Sequence, residues 1–346
     1  MSNLQIGLAI AGGLVLAAVV AHGAWTSRRS APRQASPELA AMDSSASVVE
    51  PMLTDEALNA PALPNHHLPR KPAMDSLVDV IATIALDAVH PSIAGEAALA
   101  AMPTTRRAGS KPFAIEGYNL MSHVWETPMA GQRYGGFQAG VQLANRSGPL
   151  NQIEYSDFVV KTQAFADAIG ANAEFPDMLE EVARARELDH FASAHDAQLG
   201  FMVRAKSASW SPGFVHQCAA RQGFVTGALP GRMVLPSGHD GMPPLVVLSF
   251  DAQAALAEDP AQTAIREISL HLDVAQVARD EAPFDRMRTA ALALAQSMEG
   301  TVTDDDGQPL AEQTMDTIRS ELQTLYDTLE RRDLAAGSPL ARRLFS

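Results

Sequence analysis

The chain has 346 residues, a formal net charge of −14 and a single cysteine, Cys218. The lone cysteine excludes an intramolecular disulfide and a cysteine-based metal cluster. Residues 1–35 hold three Arg and no acid, so the rest of the chain carries −17 and would repel the phosphates of nucleic acid. The length allows two domains beyond an N-terminal segment.

The segment from residue 4 to residue 25 is almost free of charge. A helix of about 20 apolar residues spans ~30 Å, the thickness of the hydrocarbon core of a bilayer. Trp25 lies where an interfacial anchor is expected, and the basic residues Arg28 and Arg29 follow it. Because basic residues stay on the cytoplasmic side, we predict a single transmembrane helix at 4–25 with residues 1–3 in the periplasm. A cleaved signal peptide is the alternative, but it requires basic residues before the apolar run, and none occurs there.

Residues 26–75 are rich in Pro, Ser and Ala and show no sustained apolar periodicity. This composition is typical of a disordered tether. As a random coil, such a segment has a root-mean-square reach of ~40 Å. We therefore predict a disordered, Pro-rich linker between the membrane and the folded part of the chain.

The first folded region is predicted at residues 76–195. Strands are predicted where apolar and polar residues alternate, and helices are predicted where apolar residues recur every three or four positions. The predicted strands lie near 77–86, 113–119 and 137–144, and the predicted helices at 93–102, 155–169 and 177–192. Each apolar stripe needs a partner surface, so these elements indicate a small antiparallel sheet with helices on one face.

The same order of elements recurs at residues 196–332. The predicted strands lie at 198–205, 224–226, 233–235, 245–250, 265–274 and 300–303, and the predicted helices at 214–222, 283–298 and 312–331. We interpret this as a tandem repeat; the alternative is two unrelated α+β domains that share a generic periodicity. In each repeat the second sheet face is left for solvent, for the sister repeat or for a ligand. Residues 333–346 are expected to form a flexible tail.

No phosphate-binding loop, dinucleotide fingerprint, zinc-protease motif or nucleophile elbow occurs in the sequence. The acidic run at 304–307 lacks the alternating acids and the later Glu of a calcium loop, and it predicts a tight hairpin turn. We therefore expect a binding protein that is not an enzyme, with no cofactor, no metal, no small-molecule substrate and no nucleic-acid partner.

The run HGAWTSRR at 22–29 resembles the end of the membrane anchor of ZipA, a family of bacterial inner-membrane division proteins. The order of anchor, Pro-rich tether and α+β domain is also that of this family. The C-terminal half is similar to its globular domain: a helix leads to Gly223 and Phe224, a strand begins at Pro244, and the run GTVTDD at 300–305 precedes a long last helix. The region 76–195 has no counterpart in the family.

The resemblance implies that 196–332 is a split β-α-β domain whose helix-free sheet face binds the C-terminal tail of FtsZ, the tubulin-like division protein. The chain would thereby tether FtsZ filaments to the inner membrane at the division septum. Carried over strand by strand, the resemblance implies a peptide-binding groove formed by Met202, Leu229, Met233, Val247, Ser249, Ser269 and His271. This set is more polar than the groove of the family. A structural scaffold, whose two repeats pair or self-associate without binding FtsZ, stays open as the alternative.

Overall fold

The computed structural model of the protein describes residues 32–34, 74–257, 259 and 263–346. The predicted membrane helix at 4–25 and the anchor residues Trp25, Arg28 and Arg29 lie outside this part of the chain, as does most of the predicted linker. Among the described residues, no helix is both long enough and apolar enough to cross a bilayer.

The chain divides into two compact units. Of the described residues, the first module comprises 74–197 and Thr324–Ser346, and the second module comprises 32–34 and those within Gln198–Gln323. The last long helix, Glu312–Glu330, contains the division between them. The predicted boundary lies at 195/196, and the corresponding division between the units falls at 197/198; the residues after 323 belong to the first module.

Over residues 74–197, the first module contains nine strands and three α-helices. They are β1 (Asp79–Leu86), β2 (Ile93–Ala94), α1 (Gly95–Ala101), β3 (Arg107–Ala108), β4 (Lys111–Asn119), β5 (Trp125–Glu126), β6 (Arg133–Gln142), β7 (Ala144–Asn145), β8 (Gly148–Pro149), α2 (Gln152–Ala168), β9 (Ala171–Glu174) and α3 (Met178–His195).

The sheet of the first module has the order β3-β4-β6-β1-β9, with β2 beside β6 and β5 beside β4. The strand β1 pairs antiparallel with β6 on one side and with β9 on the other. Because both neighbours oppose β1, β6 and β9 run parallel to each other, and α2 connects them. This is a split β-α-β arrangement, and it agrees with the predicted α+β class and antiparallel pairing.

The core of the first module lies between one sheet face and α2. The ring of Phe113 on β4 packs against Phe158 at a centroid distance of 6.0 Å, and Phe137 on β6 packs against Phe165 at 5.3 Å. Helix α2 begins at Asn151, whose side chain accepts hydrogen bonds from the first turn in a capping box with Glu154. Apolar burial and this cap together fix α2 on the sheet.

Among the residues that the structure describes, the second module and the end of the chain contain six strands and five α-helices. They are β10 (Gln198–Ala205), α4 (Pro212–Ala220), β11 (Val225–Thr226), β12 (Arg232–Leu235), β13 (Val246–Ser249), α5 (Ala252–Ala255), β14 (Glu267–Asp273), α6 (Pro283–Met298), β15 (Gly300–Thr303), α7 (Glu312–Glu330) and α8 (Pro339–Leu344).

The sheet of the second module has the order β11-β12-β13-β14-β10-β15. As in the first module, its first strand, β10, lies between two antiparallel neighbours, β14 and β15, and a helix, α6, connects those neighbours. Phe201 on β10 packs against Phe284 on α6 at a centroid distance of 6.1 Å. The helices therefore cover the face that carries Phe201, and the other face carries the alternate residues.

One expectation about an irregular segment is wrong. The segment at 333–346 is not a flexible tail, because α8 packs on the face of the first sheet that is opposite α2 and that was expected to carry no helix. There the guanidinium of Arg343 pairs with the carboxylate of Asp79, which is only 2% exposed, and Gln142 Nε2 donates to the carbonyl of Arg343 at 2.7 Å. Leu344 and Phe345 are each 1% exposed, so apolar burial holds the segment in place. Within the predicted linker, residues 32–34 are also ordered, against the second module.

Candidate functional site

The helix-free face of the second sheet is described most simply as rows of residues that face each other across neighbouring strands. The first row crosses five strands. It consists of Val225, Val234, Val247, His271 and Gly200. Val234 and Val247 are half-buried, whereas Val225 is 51% exposed and His271 is exposed. This row therefore presents three apolar side chains in succession, followed by the imidazole of His271 and then by Gly200.

A second row lies beside the first on the same face. It consists of Arg232, Ser249, Ser269, Met202 and Thr303. Met202 and both serines are half-buried, and the Ser269 hydroxyl donates to the carbonyl of Ser249 at 3.3 Å. Met202 is the flexible apolar member of this row, and methionine adapts readily to irregular partner surfaces.

Charged groups border the two rows. Arg204 Nε lies 3.4 Å from Glu267 Oε2, and the two side chains are 40% and 58% exposed. The turn at 304–307 lies beside Gly200, which is the last residue of the first row. A Cβ atom at Gly200 would lie 3.2 Å from Asp305 Oδ1 and 3.6 Å from His271 Nδ1, so a side chain here would crowd the turn. The face is thus mixed: serines, His271 and charged groups lie beside four apolar side chains, which we name the apolar strip and which are Val225, Val234, Val247 and Met202.

The strip has the character of a protein-binding surface. The face combines apolar side chains with hydrogen-bonding and charged groups, as protein interfaces generally do. Among the described residues there is no cluster of three or more His, Cys, Asp or Glu side chains that could hold a metal ion.

Five of the seven predicted groove residues lie on this face. They are Met202, Val247, Ser249, Ser269 and His271, and the strand pairing brings them together in the two rows. Their placement on one face follows from the alternation of side chains along β10, β13 and β14.

Met233 is not on this face, and its assignment to the groove is wrong. It pairs with Leu248, is 2% exposed and points to the helix-covered core. The strand Arg232–Leu235 has three apolar residues in succession, so its sequence does not mark which face each one occupies. Val234, which the prediction omitted, occupies the position in the first row.

Leu229 was expected on the second strand, but it lies in the turn between β11 and β12. Its carbonyl accepts a hydrogen bond from the Arg232 amide at 3.2 Å, and the residue is 59% exposed. Val225 and Asp305 also escaped prediction. The strand β11 has only two residues, too few for an alternation pattern, and Asp305 reaches the face through the fold of its turn.

Residues 250–321 match the family model described as the C-terminal FtsZ-binding domain of ZipA. The matched residues include β14, α6 and β15, the elements that form the split β-α-β unit of the second module. This match supports a ZipA-type protein. The match indicates a bacterial, FtsZ-binding cell-division protein that is associated with the division septum. No curated protein matches the chain.

Proposed function

We propose that the second module of this ZipA-type protein binds the C-terminal tail of FtsZ on the helix-free face of its sheet. The observation that carries the proposal is the row of Val225, Val234 and Val247, with Met202 beyond β14 on the same face. These residues belong to the module whose residues 250–321 match the FtsZ-binding family. A helical tail with apolar residues along one side would place them on this strip, in the helix-in-groove mode of peptide recognition.

The charged residues that border the strip would orient the bound FtsZ tail more than they would increase its affinity. Arg232 is exposed at the end of the second row and offers a charge to an acidic residue of the tail. Arg204 already faces Glu267 across the sheet. A single exposed ion pair contributes about 0–1 kcal/mol, so the binding energy must come mainly from the apolar side chains.

We also propose that the protein tethers FtsZ filaments to the inner membrane through a single helix at 4–25. The support is the length and apolar character of that segment and the basic residues that follow it. Retention of the full chain in the membrane pellet after carbonate washing is expected, and its release would contradict the anchor.

The two modules are, in this proposal, diverged copies of one domain. The first strand of each module lies between the same two partners, namely the strand before the connecting helix and the strand after it. The first module differs in that α8 and Arg343 occupy part of its helix-free face. The second module is therefore the one to which we assign FtsZ binding.

Fluorescence anisotropy of a labelled FtsZ C-terminal peptide, titrated with the full chain in detergent, tests the binding face. Met202→Glu and Val247→Glu should each raise the Kd at least tenfold, because each places a charge in the apolar strip. Val160→Glu is the matched control, since Val160 is an apolar residue of α2 that is 66% exposed. Wild-type affinity in both groove variants would refute the placement. Absence of binding by the wild type, with self-association in sedimentation, would favour the scaffold alternative.

A further inference from the structure

The second module holds an extended peptide from the N-terminal part of the chain. Arg33 forms a parallel β-bridge with Trp210. The Arg33 amide donates to the carbonyl of Ser209 at 2.8 Å, and the Ser211 amide donates to the carbonyl of Arg33 at 2.8 Å. Both backbone groups of Arg33 are thus satisfied, as they would be in an added strand.

The docking surface is built on a buried tryptophan that is hydrogen-bonded on both its backbone and its indole. Trp210 is fully buried, and its indole Nε1 donates to the Met298 carbonyl at 2.8 Å. Its own amide and carbonyl pair with Ile265, each at 2.8 Å. Because successive backbone groups of a strand point in opposite directions, the carbonyl of Ser209 and the amide of Ser211 face away from Ile265 and toward Arg33.

Side chains give this surface selectivity. Pro32 is buried, and the Arg33 guanidinium pairs with the Glu299 carboxylate. A hydrogen bond from Arg33 and its positive charge hold the pKa of Glu299 below its ordinary value. Proline lacks an amide hydrogen, and it is pre-set for extended backbone, so a Pro-Arg pair suits a short edge site.

Glu299 occupies a strained backbone position. Its φ is 52°, in the left-handed region at the end of α6, where Gly is the usual residue. A glutamate in this conformation is held at an energetic cost, and such strain is found where a side chain has a specific task. Its carboxylate is the group that meets Arg33.

We propose that Ser209, Trp210, Ser211 and Glu299 form a peptide site for the Pro-Arg segment at 32–34, and that its occupation holds the FtsZ-binding module close to the membrane. The second half of this proposal rests on the membrane attachment proposed above, whereas the first half does not. If the anchor ends at Trp25, seven Cα steps separate it from Pro32, and these reach at most ~25 Å. Without docking, the chain reaches the second module only through the rest of the predicted linker and the first module. The site therefore sets the height of the FtsZ-binding face above the bilayer.

Trypsin cleavage after Arg33 in the intact protein reports occupation of the site. Glu299→Gln should accelerate this cleavage about two- to fivefold, the range expected from the loss of one exposed ion pair. Glu321→Gln is the matched control, because Glu321 is an exposed glutamate on α7 of the same module. Equal cleavage rates in the wild type and Glu299→Gln, or equal acceleration by the control, would overturn the peptide site.

Hydrogen exchange of the peptide that contains Arg33 tests the charge pairing without a protease. Arg33→Glu and Glu299→Arg should each reduce its protection, and the double variant, which reverses the pair, should restore it. Failure of the double variant to recover protection, with both single variants folded, would refute recognition of Arg33 by Glu299.

Energy transfer to labelled lipids in nanodiscs tests the effect on membrane distance. A dye is placed by Gln313→Cys in a Cys218→Ser background, since Gln313 is exposed on α7. Glu299→Arg should lower the transfer, and unchanged transfer would refute the effect on distance. A chain that fails to enter nanodiscs would refute the anchor, while the exchange and cleavage results would stand. Binding of the FtsZ peptide is measured separately, so a failure of the proposed FtsZ binding is distinguished from a failure of the peptide site or of its effect on membrane distance.

Discussion

Adjacent residues on β12 provide a sharp test of which sheet face binds FtsZ. Met233 is 2% exposed and faces the core, and Val234 is half-buried and faces the apolar strip. Truncation of a buried methionine typically destabilises a protein by 2–5 kcal/mol, so we expect Met233→Ala to lower the free energy of unfolding of the second module by about 3 kcal/mol. Its affinity for the FtsZ peptide should stay at the wild-type value at temperatures where the module is folded.

Val234→Glu should behave in the opposite way. Because Val234 is half-buried beside solvent, we expect a loss of at most about 1 kcal/mol in unfolding free energy. A charge within the apolar strip should cost about 2 kcal/mol in binding, which is about a 30-fold increase in Kd.

The assay for stability is urea unfolding followed by the fluorescence of Trp210, which is fully buried in the second module. Trp25→Phe and Trp125→Phe remove the other two tryptophans, and peptide anisotropy gives the affinity. If Met233→Ala weakened peptide binding more than Val234→Glu did and left unfolding unchanged, the two faces would be assigned the wrong way round.

Two further predictions concern the packing of each module. Leu344→Ala should destabilise the first module by about 2–4 kcal/mol, because Leu344 is 1% exposed, and hydrogen exchange should show faster exchange of amides in 79–195 but not in 198–303. In the second module, burial raises the pKa of Glu281, but hydrogen bonds from Ser237 and Gly238 and the nearby His239 outweigh it and bring that pKa below its ordinary value. The carboxylate is therefore stabilising above the pKa it has in the unfolded chain, and this contribution is lost as the pH falls toward the folded-state pKa. Urea midpoints between about pH 6 and pH 3 should fall less in Glu281→Gln than in the wild type, and identical slopes would contradict the inferred shift.

The elements that the sequence predicted best have long, regular apolar patterns. The strand Gln198–Ala205, the helix Pro283–Met298 and the strand Gly300–Thr303 have the predicted bounds. In the first two, the buried residues recur with the period of the element, so local sequence determines both the type and the inward face.

The elements that the sequence did not predict share a physical cause: each is stabilised by contacts with residues that are distant in the chain. The edge strand Ala171–Glu174 contains little apolar surface and is defined by its pairing with β1. The helix Pro339–Leu344 is too short for a periodic pattern, and Arg343 finds its partner Asp79 from 264 positions away. The Pro-Arg bridge at Arg33 likewise depends on Trp210. Strand alternation located Met202 and Val247 of the apolar strip. The placement of Val234 on this face became known only from the pairing of β12 with β13.

The chain order of the modules has a consequence for synthesis on the ribosome. The first module includes His66–Ala197 but also Thr324–Ser346, so the whole sequence of the second module is translated before the first module has its last residues. Until then Asp79, buried in the finished fold, lacks Arg343, and the helix-free face of its sheet lacks α8. Long-range contacts of this kind slow folding. The FtsZ-binding module can therefore reach its native state while the module that precedes it is still incomplete, and chaperones that act on nascent chains would meet the first module, rather than the second, in its unfinished form.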